Sequence, residues 1–176
     1  RAGAAGLGYR PAMKLFRVPV VGLLVLVLSW GSTSPAISAS WQEQMLTSLN
    51  SIRADKGLKP LIMCKSLTQS AQNYAKTMAT QDFFSHEGRD GSTMGQRIQN
   101  AGYKWRNSRT ASGIAENIAA GQGSVKAVMK DWKNSTGHFE NMTNSKLIHV
   151  GFGMAANQKS THKKYWVQNF GYGATC

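Results

Sequence analysis

The chain has 176 residues, with 21 Lys and Arg against 8 Asp and Glu, for a formal net charge of +13. That length suits one domain with a real core, and the charge favours anionic partners such as envelope polymers or acidic lipid headgroups. The lysines are scattered and no nucleic-acid-binding motif is present, so specific nucleic-acid recognition is not expected.

In chain order, residues 1–12 (RAGAAGLGYRPA) precede Met13, the expected initiator, and read as an upstream non-native segment. Met13-Lys14-Leu15-Phe16-Arg17 is followed by VPVVGLLVLVLSW and then GSTSPAISAS. A basic start, an apolar run and a small-residue exit make a signal peptide over residues 13–39, with cleavage after Ala39. The apolar run from Val18 to Trp30 falls short of the roughly 20 residues a spanning helix needs, so no transmembrane anchor is expected. The mature part, residues 40–176, is then expected to be secreted or periplasmic, a single domain and a monomer. Of the 21 basic residues only Arg1, Arg10, Lys14 and Arg17 precede Ser40, and no acidic one does, so the exported part keeps a charge of +9.

Trp41, Met45, Leu46, Leu49 and Ile52 recur at helical spacing up to Gly57. Leu67, Ala71, Tyr74, Ala75 and Met78 predict a second helix ending near DFFSH. Ser92 is expected to cap a short third helix carrying Met94, Ile98 and Ala101, closed by Gly102. Ser124 is expected to cap a fourth, with Val125, Val128, Met129 and Trp132 on one stripe. Val150, Phe152 and Met154 alternate, as do Trp166, Gln168 and Phe170, which predicts a terminal antiparallel pair. Helices first and strands later give an α+β layer fold. Cys64 and Cys176, the two cysteines, both fall in the exported part, where a single disulfide is expected and two free thiols are the alternative.

Titratable groups gather beside turn residues in three places. FFSHEGRDGST holds His86 after the second helix, SGIAENIAAGQGS holds Glu116, and WKNSTGHFENM holds His138 just past the fourth helix. Two histidines and a carboxylate at element ends could converge on one cleft. Glu116 has no charged neighbour closer in sequence than Arg109 and Lys126, and its small, apolar surround leaves it poorly solvated unless a histidinium or an ion offsets its charge. The expected place for it is a strand's end.

FSH…DGST…RI…AGY, AENIAAGQ, W…S.GH…NM, VGFGMA and YWVQNFG together resemble the CAP superfamily of cysteine-rich secretory, antigen 5 and pathogenesis-related proteins. The likeness is closest to the compact bacterial SCP-domain branch and runs from about Met45 to Gly173. It implies a three-layer α-β-α sandwich with a mainly antiparallel central sheet, and it adds a strand near Ser112–Ile118. It also implies a cleft built on two histidines and two acids. By position these are His86, Glu116 and His138, with Ser135 where eukaryotic relatives carry the second acid. The family's GEN glycine is Ala115 here.

His86, His138 and Glu116 have the composition of a metal site for a divalent cation such as zinc, with a position left for water. The alternative is that Glu116 orients one histidine and no ion is held. A hydrolase, metal-dependent or serine-type, would use the same cleft; Ser85, Ser112 and Ser135 lie near it in sequence, yet no GxSxG elbow occurs and Ser85 is expected to shape a turn. Lipid or sterol binding, which the resemblance also implies, would need a groove such as Met94, Ile98, Tyr103 and Trp105 could line, although Met94 and Ile98 have core spacing. Asn134 and Asn141 are formal glycosylation sequons, read as chance. His149 is expected to be exposed or satisfied structurally, and His162 to sit on a solvated loop. The preferred reading is an extracellular binding module for an anionic cell-envelope component or small ligand, with an enzyme second.

Overall fold

The computed structural model describes residues 38–106 and 113–176. The expected upstream segment, the expected signal peptide up to residue 37, Arg109 and Ser112 therefore lie outside the described residues.

Ser40 caps α1 (Trp41–Ala54) in a reciprocal box with Glu43 and turns Met45, Leu49 and Ile52 into the core. A two-residue strand, β1 (Ile62–Met63), precedes α2 (Lys65–Gln81), whose buried stripe includes Leu67, Ala71, Tyr74, Ala75 and Met78. α2 stops at Asp82, which takes the left-handed conformation at φ 48°. The Asp82 carboxylate then accepts from Thr161 N and Oγ1 and from Tyr165 Oη, so the helix end is fastened to a distant hairpin. α3 (Met94–Asn100) is capped by Thr93 rather than Ser92. The Ser92 amide is spent on Asp90 Oδ1, while Thr93 and Gln96 form a second capping box.

β2 (Lys104–Trp105) and β3 (Ile114–Ala120) follow, then α4 (Val125–Asn134), whose cap is Ser124 as expected, its hydroxyl accepting from Ala127 N. His138 does follow α4, as expected, but not in a loop. It lies inside a separate short helix, α5 (Thr136–Met142), which starts at a kink on extended Ser135. β4 (His149–Ala156) and β5 (Lys164–Gly171) form the expected antiparallel pair, with Val150 opposite Phe170 and Met154 opposite Trp166. β6 (Gly173–Thr175) pairs with β2 in a separate ribbon.

The main sheet runs β1-β4-β5-β3. It is mixed: β1 is parallel to β4, while β4–β5 and β5–β3 are antiparallel. Its two faces carry different layers. Val150, Phe152, Trp166 and Phe170 point to α1, α4 and α5, where Met45, Leu49, Met129, Trp132 and Met142 complete the larger core. Tyr165, Val167 and Ile118 point the other way, onto α2. This is the α-β-α sandwich.

VGFGMA now has a mechanical meaning. A Cβ on Gly151 would run into the backbone of Leu67 and Thr68, and one on Gly153 into that of Ala71 and Gln72. The two glycines let α2 lie directly on β4. Cys64 and Cys176 are joined in a disulfide with Cα atoms 5.2 Å apart, within the ordinary span. His149 is half-buried with Nδ1 2.9 Å from Tyr103 Oη, and His162 is exposed, edge-on to Phe84 and Tyr165. Among the described residues no helix is long and apolar enough to cross a membrane.

Candidate functional site

The site straddles β3, the edge strand of the main sheet. Glu116 is the third residue of that strand, opposite Asn169, and not at its end. Alternation sends its side chain to the α2–α3 side and sends Asn117 to the α5 side. The dipeptide Glu116-Asn117 therefore organises both halves of the site.

On the first side, Glu116 is closed off, its side chain only 1% exposed. Its Oε1 accepts from His86 Nδ1 at 2.9 Å, and both its oxygens accept from Arg97 Nη2 at 3.1 Å. Arg97 is the residue that sequence reasoning missed. It lies in the last turn of the short helix α3, inside the quoted RI motif, but nothing local distinguishes it from a solvated helix arginine. Its guanidinium sits 3.4 Å from the centroid of the Tyr74 ring and also donates to His86 O at 2.9 Å and Ser92 O at 2.7 Å. Tyr74 Oη donates to Ser85 O at 2.7 Å, and burial pushes its phenol up to about 12, so it stays a donor at any ordinary pH. The loop carrying His86 is thus held at Ser85 O, at His86 O and at the ring itself. Because a carboxylate only accepts, Nδ1 carries the proton and Nε2 of a neutral His86 is left as an acceptor. The ring is 58% exposed, so that nitrogen is available.

On the second side, Asn117 Nδ2 donates to His138 O at 3.1 Å and to Gln168 Oε1 at 3.0 Å. Asn141 Nδ2 donates to Asn117 Oδ1 at 2.8 Å, which gives that sequon asparagine an internal role. Trp132 Nε1 donates to Ile118 O at 3.2 Å, and its ring lies tilted against His138 with centroids 6.4 Å apart. Burial, and then the nearby His86, hold the His138 imidazole below its usual value, so it is neutral at neutral pH.

His86 and His138 meet at one surface depression of about 510 Å³, together with Phe84, Ser85, Glu87 and Ile118. Glu116 does not join them there; it borders a neighbouring hollow of about 320 Å³ with His86, Thr93 and Met94. The three-donor set His86, His138 and Glu116 does not assemble as a metal centre. Among the described residues no group of three or more His, Cys, Asp or Glu is placed to hold an ion. The physical reason is that a fixed guanidinium already occupies both Glu116 oxygens and would repel a second cation. Ser135, at the family's second-acid position, is half-buried at the α4–α5 kink and makes no side-chain capping bond. Ser85 shapes its turn as expected, its Oγ accepting from Glu87 N at 3.1 Å. Ile98 and Tyr103 are core residues with Cys64, Leu67 and Ile114, and Met94 and Trp105 pack against them; Met94 also borders the hollow beside Glu116, and Tyr103 and Trp105 a separate one of about 230 Å³.

Comparisons with known proteins agree with this fold. The chain is 26% identical to the protein YkwD of Bacillus subtilis over 139 residues, covering 79% of this chain and 50% of that protein. An extracellular protein containing a SCP domain from Bacillus anthracis superposes with a TM-score of 0.63 at 27% identity, covering 74% of this chain and 39% of that one. An outer surface protein from Borrelia burgdorferi gives a TM-score of 0.63 at 20% identity, with 76% and 92% covered, and shares the fold. The chain thus spans half or less of the two Bacillus proteins. The sequence profile of the cysteine-rich secretory protein family matches residues 46–170, and with the sandwich and the His86–Glu116 pair in place the chain belongs to that CAP family.

Proposed function

We propose that this domain is an exported binding module whose His86–His138 depression recognises a polar component of the cell envelope by hydrogen bonds, without a metal ion. The observation that supports this reading is the Glu116 clamp. A buried carboxylate held by Arg97 cannot serve as a ligand to an ion or as a nucleophile, but it fixes which nitrogen His86 presents. His86 Nε2 as acceptor and the neutral His138 ring, able to accept on one nitrogen and donate on the other, suit hydroxyl and amide groups. Ser85 and Phe84 beside them add a hydroxyl and an apolar face. The basic exported surface would hold such a module near anionic polymers, with a strength that salt weakens.

A second reading, as a hydrolase, has one observation in its favour: a histidine oriented by a buried carboxylate has the form of a general base. Its nucleophile is the weak point, because the neighbouring Ser85 hydroxyl already caps a turn. The test is a titration followed on the histidine ring signals by NMR, using soluble disaccharide-peptide wall fragments and, separately, neutral dextran fragments. Saturable shifts of the His86 and His138 rings with the wall fragments, absent in His86→Ala, are expected. Unmoved ring signals would reject the binding reading, and new cleavage products lost in Glu116→Gln would replace it with the hydrolase.

A further inference from the structure

A polar cavity lies behind the Glu116 clamp. It occupies about 270 Å³ between α2 and α3, and Ser70, Asn73, Thr77, Asp90 and Arg97 are among its walls. It shares no residue with the His86–His138 depression. Apart from Ala101, every residue that lines it carries a polar side-chain group.

Two independent observations mark it. The first is an unspent donor. Arg97 commits Nη1 to Ser92 O and Nη2 to Glu116 and His86 O, but its Nε is buried without a hydrogen-bond partner among the described residues. Buried N–H groups are normally satisfied, so an unsatisfied one on a residue that lines a cavity marks a place for an acceptor.

The second is a fixed acceptor. Hydrogen bonds from the Ser92 side chain and amide hold the Asp90 carboxyl below the usual carboxylate range, so it is ionised at neutral pH. The loop is shaped to keep it there, because a Cβ on Gly88 would strike both Asp90 Oδ1 and Ser92 Oγ. The wall is fixed too: Ser70 is only 2% exposed, and its Oγ accepts from Asn169 Nδ2 on β5 at 3.1 Å. Gln69, Asn73 and Asn100 complete the lining as exposed primary amides.

From these groups we infer that the cavity is a second binding site, for a single neutral sugar ring. Each sugar hydroxyl both donates and accepts, so neighbouring hydroxyls would donate to Asp90 and accept from Arg97 Nε, and others would exchange with the Asn73 and Asn100 amides. A plain anion would meet Asp90 unopposed, since Glu116 already balances Arg97. A cation would meet the guanidinium, and an apolar molecule would strip water from polar walls and return nothing. The volume falls below the roughly 300 Å³ at which pockets for drug-sized ligands begin, which suits one ring and not a chain. The inference does not rest on the function proposed above.

The test is an NMR titration of the whole domain with the methyl glycosides of glucose, galactose and mannose and with N-acetylglucosamine. Inorganic phosphate, alanine and ethanolamine serve as charged controls. With at least one sugar, the Asn73 and Asn100 side-chain amide signals should shift saturably in the millimolar range, and the controls should bind at least about tenfold more weakly. Asp90→Asn and Asn73→Ala, both at exposed positions, should each weaken the sugar roughly threefold or more, and His138→Ala should leave its binding unchanged. Shifts confined to the His86 and His138 rings would put the sugar in the other depression, and tighter binding of a control would give the cavity to a charged ligand. Either result, amide signals still with every sugar, or binding indifferent to both variants would overturn the assignment.

Discussion

Replacing Arg97 with Met keeps an unbranched side chain on α3 and removes the charge. Five contacts go at once: both Glu116 oxygens at 3.1 Å, His86 O at 2.9 Å, Ser92 O at 2.7 Å, and the face of the Tyr74 ring at 3.4 Å. What remains is a carboxylate 1% exposed with only His86 beside it. Removing one partner of a buried ion pair costs about 3–5 kcal/mol, because the survivor's desolvation is no longer compensated. Arg97 is itself only 11% exposed, so solvent screening takes little off that figure. The expected loss is about 4 kcal/mol, or roughly 10–15 °C in melting temperature for a domain of this size. Glu116→Gln should cost less, about 2–3 kcal/mol, since an amide still accepts from Arg97. In the double variant the second substitution should add little, a coupling of about 2 kcal/mol. Urea unfolding followed by tryptophan fluorescence measures all four proteins, provided the slope with denaturant stays constant. If Arg97→Met costs under about 1 kcal/mol and the cycle shows no coupling, Glu116 is not held by Arg97. The argument against a metal at Glu116 then fails with it.

Gly153→Ala pushes a methyl into the backbone of α2 at Ala71 and Gln72, where no side chain can rotate away, and should cost at least about 1–3 kcal/mol. Gly137→Ala, inside α5 and facing open space, should instead gain up to about 1 kcal/mol, so the pair of variants separates close packing from helix propensity in the same urea assay. His138 and His149 are both held below their usual value, chiefly by burial, so the unfolded chain binds more protons than the folded one in the window beneath about pH 6.5. Their contribution is whole above that pH and is lost as pH falls through their lowered folded values. His138→Gln and His149→Gln should each flatten the decline in stability between about pH 7 and 5, and an unchanged slope would remove burial as its cause. Reducing Cys64–Cys176 opens a loop with a sequence separation of 112 and should cost about 3–5 kcal/mol, read as the shift in urea midpoint with and without reductant.

The fold was legible where periodicity was strong. The α1 and α2 stripes, the Ser124 cap and the Val150–Met154 and Trp166–Phe170 alternation each carry the burial in their own spacing. β1 was not legible, because two residues have no period, and it is the strand that makes the sheet mixed. The third helix's cap was misplaced by one residue because Ser92 and Thr93 are equally good caps in sequence. The choice between them is made by Asp90, which claims the Ser92 amide.

The site divides along the same line. His86, Glu116 and His138 stood out because each is a titratable residue beside turn residues or in an apolar surround. Arg97 did not, since an arginine on a short polar helix looks solvated until the strand beneath it is placed. Its presence also sets which charge Glu116 balances. A divalent ion can be held by two histidines and one carboxylate when all three donors are free. Here the cation is built into α3 and carries a single charge, which Glu116 alone balances.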